Sequence, residues 1–148
     1  MSIEDLLPSA TDLKKKIALE EAAKAAEEMR KRAETEAEKK ALLDQLGKPS
    51  GVSEEEGIRR GAAIIQRAAR NGLTEVQVHR FPNQLCTDRG RAINQQEPGW
   101  ETTLTGVPKE IYQLWYKHFR PRGYRLRVQI IDFPGGMPGD VAMTLSWE

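Results

Sequence analysis

The chain is poor in the residues that carry most catalytic and metal chemistry. It has one cysteine, Cys86, and two histidines, His79 and His118, in 148 residues. A single cysteine excludes an internal disulfide and accords with a reducing compartment. The histidines stand apart, without the Cys/His spacing of a zinc site, so no metal and no cofactor are expected. No apolar run approaches the roughly 18–20 residues that span a bilayer. The opening MSIEDLLPSATDLKKK lacks the basic start, apolar core and small-residue cleavage site of a signal peptide. No membrane partner and a cytoplasmic location are therefore expected. Between Ala10 and Leu46 there is neither glycine nor proline, so nothing in that stretch breaks a helix.

What is present there is Ala, Glu, Lys, Arg and Leu, all strong helix formers. Ser9, with Asp12 three residues on, reads as an N-cap. Acid-first pairs four apart recur at Asp12/Lys16, Glu20/Lys24, Glu27/Lys31, Glu28/Arg32 and Glu36/Lys40. Each adds about 0.2–0.5 kcal/mol to an isolated helix. Such a rod would be roughly 55 Å long. Leu19, Ala22, Ala26, Met29 and Ala33 follow coiled-coil spacing, but Glu36 falls where the next apolar residue is due. An alanine-rich seam with a slip buries little, so this segment predicts weak homo-oligomerisation, a docking helix or a solvated arm.

Charge divides the chain. Residues 1–57 hold 10 Lys/Arg against 14 Asp/Glu, and residues 58–148 hold 13 against 8. An acidic arm is thus joined to a basic body, a layout that suits an anionic partner for the body, electrostatic contact between body and arm, or an ordinary solvated surface.

The body is organised by Tyr124–Trp147. Leu126, Val128 and Ile130 share one face at period two, as do Val141, Met143, Leu145 and Trp147, with a Pro/Gly-rich loop between. A lone hairpin is marginal in water and needs cover. Helical segments around Ile58–Arg70, capped by Ser53 with Glu56, and Val107–Phe119, started by Pro108, would supply it. A further strand, LTEVQVHRFP, places Thr74, Val76 and Val78 on one face and Glu75, Gln77 and His79 on the other, and ends at Pro82. Asn83–Gly106 shows little pattern beyond a short helix within Thr87–Gln95; connections of that length are usually functional or mobile.

The expected class is α+β: a two-layer body with a three-stranded mixed sheet and two helices on one face, preceded by a long charged helix. The expected divisions are an extended helical arm over 1–46, a linker over 47–53 and a small domain over 54–148. A helix ending Ala68-Ala69-x-x-Gly72, a strand, a helix ending before Gly123-Tyr124 and a strand closing on Leu145-Ser146-Trp147 is similar to small uncharacterised bacterial and bacteriophage α+β proteins. That resemblance covers residues 58–148. It implies a fold and no function.

Three groups of residues bear on function. Cys86 lies near Asp88 in sequence, and with His79 or His118 it could form a nucleophile, base and orienter; a buried unreactive thiol explains it as well. Asp132 and Asp140 flank Pro134-Gly135-Gly136-Met137-Pro138-Gly139, matching neither an EF-hand nor a phosphate loop, and a hairpin turn accounts for them. The arginines point further. Arg120, Arg122, Arg125 and Arg127 crowd the helix-to-strand junction, Arg89 and Arg91 lie in the long loop, and Arg80 ends the first strand. Guanidinium forks bind phosphate and carboxylate, and Tyr112, Tyr116 and Tyr124 could stack on bases. The sequence thus predicts a non-enzymatic binding or adaptor protein whose body meets another protein, with nucleic acid as the alternative partner and a cysteine enzyme third.

Overall fold

Serines set three of the helix starts. The hydroxyl and amide of Ser2 both donate to the Asp5 carboxylate, at 2.9 and 3.3 Å. The Ser9 hydroxyl accepts from the Asp12 amide at 3.1 Å, and that of Ser53 from the Glu56 amide at 3.1 Å. Each satisfies a donor that the first helical turn leaves unpaired. The computed structural model describes Ser2–Glu148, which divide into one unit ending at Ala41 and one spanning Leu42–Glu148.

The first unit is helical. The short α1 (Ile3–Leu6) precedes α2 (Ala10–Gly47), whose last turns enter the second unit. No residue of α2 is buried, as its polar composition requires. The ion pairs that form are Arg30 with Glu27 and Glu34, both at 2.5 Å. The acid-first pairs expected four apart are not those that close. Ile3, Leu6 and Leu7 are 66–76 % exposed.

The second unit adds α3 (Glu54–Arg70), β1 (Glu75–Phe81), α4 (Arg91–Asn94), α5 (Gly106–Leu114), β2 (Arg125–Ile130) and β3 (Val141–Ser146). The α+β class stands, but the sheet is not mixed. Its order is β1-β3-β2, with β3 antiparallel to both neighbours. β1 and β2 do run parallel, yet the last strand of the hairpin inserts between them. That position explains why Val141–Leu145 are buried without a break.

A bulge between Gln77 and His79 breaks the alternation expected in β1. Val78 becomes the extra residue, and every later side chain changes face. His79, expected on the open face, instead pairs with Met143 and stacks on Phe81. Arg80 takes its place on the open face beside Ala142.

Cover over the sheet comes in two parts. Ile65, Phe119 and Leu145 form one core cluster under α3 and the end of α5. Phe81, Leu85, Cys86, Ile93, Leu104, Val141 and Met143 form the other. Asn83–Gly106 therefore packs as part of the core, where an open functional or mobile loop was one expectation. The Asp88 carboxylate accepts from the amides of Gly90 and Ala92 at 3.0 and 2.9 Å, which starts α4. Cys86 bridges to Leu104 to close the loop.

The expected boundary at residue 46 also moves. Leu43 and Leu46 pack against the second cluster, so the last turn of α2 belongs to the body. Residues 47–53 are tied down as well, since the Ser50 amide and hydroxyl donate to Glu110 at 3.2 and 2.6 Å.

Candidate functional site

α3 approaches α5 closely because two of its residues have no side chain. A Cβ on Gly57 would lie 2.8 Å from Leu114, and one on Gly61 would lie 2.8 Å from the Phe119 ring. Beside this contact runs a cleft of about 550 Å³ with Ile64, Val78, Ile111 and Trp115 in its walls. Its polar rim is already matched. Glu54 meets Lys117 and His118, each at 3.1 Å, and hydrogen bonding with His118 first and then Lys117 holds its carboxyl below the ordinary range. Arg60 meets Glu56 at 3.2 Å. No sequence feature had pointed to this cleft, although Gly57 and Gly61, four apart in a helix, are the signal of close packing.

The arginines divide into paired and unpaired sets. Arg80 lies 2.8 Å from Asp140 and 3.8 Å from Asp132. Arg91 meets Glu97 at 2.8 Å, and Arg127 meets Glu75 at 2.9 Å. By strand register, that last pair reaches across β3 between Thr144 and Ser146. These three have intramolecular work. Among the described residues Arg89, Arg120, Arg122 and Arg125 have no carboxylate within 4.0 Å. Arg89 sits alone, in a left-handed turn at φ 59°. The other three fall within six residues of one another.

That junction has a defined build. After α5 the chain widens into a π-turn, Trp115–Phe119, closed by the Arg120 amide donating to the Trp115 carbonyl. π-turns recur at functional sites because the extra residue re-aims side chains. Tyr112 and Tyr116 stack with centroids 6.1 Å apart, and the Arg120 guanidinium lies 4.6 Å over the Tyr116 ring. Trp100 meets Tyr112 edge-on. Burial keeps the Tyr112 hydroxyl above its usual range, so it stays neutral. Arg120–Arg122 form a single 3-10 turn ended by Gly123 at φ 94°, where a side chain would be strained. The Trp115 indole then donates to the Tyr124 carbonyl at 2.9 Å, binding helix to strand. The outcome is a shallow concavity lined by Trp115, Arg120, Gly123, Tyr124, Arg125 and Leu126. Two unpaired arginines thus share one hollow, Arg122 lies exposed on the turn between them, and Arg127 does not join them.

The other candidates come apart. Cys86 is 2 % exposed, and burial first, then the Asp88 charge, pushes its thiol up to about 11. A nucleophilic thiolate needs the opposite shift. Asp88 caps α4, His118 pairs with Glu54, and His79 stacks on Phe81. The Asp132 carboxylate accepts from the Asp140 amide, closing the hairpin loop, while Asp140 holds Arg80. Among the described residues no group of three His, Cys, Asp or Glu is placed to hold a metal ion, and no helix is long and apolar enough to cross a membrane.

No family model, curated protein or solved structure matches the chain.

Proposed function

We propose that this is a non-enzymatic adaptor. Its C-terminal unit binds an anionic macromolecule at the junction between α5 and β2, and its N-terminal helices serve as an arm for a protein partner. One observation carries the reading. Among the described residues Arg59, Arg60, Arg80, Arg91 and Arg127 each have an acidic partner, while Arg67, Arg70 and Arg89 do not. Arg120, Arg122 and Arg125 also lack one, and they alone fall three within six residues beside a stacked tyrosine pair. An exposed guanidinium left unpaired beside others like it raises the local potential and is free to take a bidentate anion. The arm fits the same role. Ile3 and Leu6 are exposed at i and i+3 of α1, and Leu7 is exposed just past its end, so three apolar side chains stand together without cover, free to meet an apolar groove on a partner. The buried, poorly ionised Cys86 thiol supports the absence of thiol catalysis.

The test is binding of the full chain to labelled polyanions of different chemistry, an acidic polypeptide and an oligonucleotide, across a salt series. At least one should bind, with an affinity that falls steeply as salt rises. Changing Arg120, Arg122 and Arg125 together to Ala should abolish it. Equal binding by that variant would assign the function elsewhere.

A further inference from the structure

We infer that the anionic partner is a single-stranded nucleic acid, one of whose bases stacks on the Arg120–Tyr116–Tyr112 column while its phosphates lie against Arg122 and Arg125. The inference rests on the proposed binding reading and names the partner for that same junction.

An acidic peptide and a nucleic acid both satisfy arginines. They differ in what they ask of the surface beside the charges. A carboxylate needs only the forks. A nucleotide has a flat apolar base as well as a charge, and single strands are bound by aromatic and guanidinium planes that stack on bases next to cations that follow the backbone. This junction has both components in contact. The Tyr116 ring has the Arg120 guanidinium 4.6 Å from its centroid and stacks with Tyr112 at an interplanar angle of 29°. Arg120 is therefore placed by the Tyr116 ring rather than by a carboxylate, which leaves its guanidinium free to extend the stack onto a base. Tyr116 itself is 51 % exposed, unusual for a ring that is part of a column. The hollow shared by Arg120 and Arg125 lies beside that column, with Gly123 also in its lining. Phosphates following a stacked base would meet cations there.

Duplexes fit poorly. Their bases are stacked on each other and give no free face, so the column would contribute nothing and only the phosphates would be read.

The experiment measures the affinity of the full chain, at fixed low salt, for three labelled probes: an oligothymidine of about 15 nucleotides, a duplex of the same length and an acidic polypeptide of matched charge. The oligothymidine should bind tightest. Tyr116→Ala should weaken it roughly 10- to 100-fold, as loss of one stacked base does, while Tyr116→Phe keeps the ring and should bind like the parent. Arg120→Lys keeps the charge and loses the plane, so it too should weaken binding. Melting curves of the variants establish that the half-exposed Tyr116 has not taken the fold with it. Overturning results are a duplex or acidic polypeptide that binds as tightly as the single strand, or a Tyr116→Ala protein with parental affinity. If the polypeptide binds and needs the arginines, the nucleic-acid inference falls and the adaptor reading stands. If no probe binds, both fall.

Discussion

Gly106 lies backbone to backbone against the end of α2, so that a Cβ placed on it would fall 2.8 Å from the Gly47 Cα and closer still to the Leu46 carbonyl. At φ 59° the residue is also in the left-handed region. Gly106→Ala therefore meets two penalties, strain in the chain and displacement of the helix end. A loss of about 2–4 kcal/mol in chemical denaturation is expected.

The same contact decides where the body begins. Leu43 and Leu46 pack on the core cluster that contains Phe81 and Met143. A fragment 42–148 should melt cooperatively near the temperature of the full chain. A fragment 49–148, lacking those two side chains and the Gly106 contact, should melt lower or lose its cooperative transition. Equal melting of the two fragments would show that the last turn of α2 adds nothing.

Cys86 adds to the alkaline sensitivity of the fold. Its thiol pKa is about 11 in the fold, against roughly 8.5 in an unfolded chain. The neutral form is the one the fold favours, so this contribution is complete below the unfolded value and is lost as pH rises toward the folded one. Stability should fall between about pH 9 and 11, and Cys86→Ala should lessen the fall. At neutral pH the thiol should react with a disulfide reagent far more slowly in the native protein than in denaturant.

His79 acts at the opposite end. Burial lowers its pKa, and its Nε2 is buried without a hydrogen-bond partner. The fold favours neutral imidazole, so the contribution is present above the ordinary value near 6.5 and is lost as pH falls below it. Protonation would place a charge next to Phe81 and Met143. His79→Phe should flatten the acid side of a pH–stability curve below about pH 6.5, and an unchanged slope would place the acid sensitivity in the carboxylates.

Much of the fold could be read from periodicity and caps. The stripe at Ile58, Ala62 and Ile65, the Ser53 cap and the two strands of the hairpin are local patterns, and local patterns survive folding. What failed was non-local. Nothing in LTEVQVHRF marks Val78 as a bulge, because a bulge is fixed by the partner strand, and it moved His79 inward and Arg80 outward. Strand order was equally hidden, since β3 could pair on either side of β2 by its own pattern. Asn83–Gly106 looked unstructured because its buried residues, Leu85, Cys86, Ile93 and Leu104, follow no single period. The arginine crowd was visible as spacing. Which of its members already had acids could not be, because Glu75 lies 52 residues from Arg127 and Asp140 lies 60 from Arg80.

Trp115 separates geometry from charge at the junction. Its indole donates to the Tyr124 carbonyl at 2.9 Å, and the Tyr124 ring in turn meets Phe119 and Trp147 edge-on. Trp115→Phe keeps much of the apolar contact and removes the donor, at a cost of about 1–2 kcal/mol for the carbonyl left behind. It changes no charge. If the junction binds anions by holding Arg120, Arg122 and Arg125 at set spacings, the variant should bind more weakly while the dependence on salt keeps its slope, because the number of neutralised charges is the same. Arg125→Ala should weaken binding and lower the slope together. A Trp115→Phe protein with parental affinity would mean that the arginines act as a diffuse charge and that the turn joining α5 to β2 does not position them.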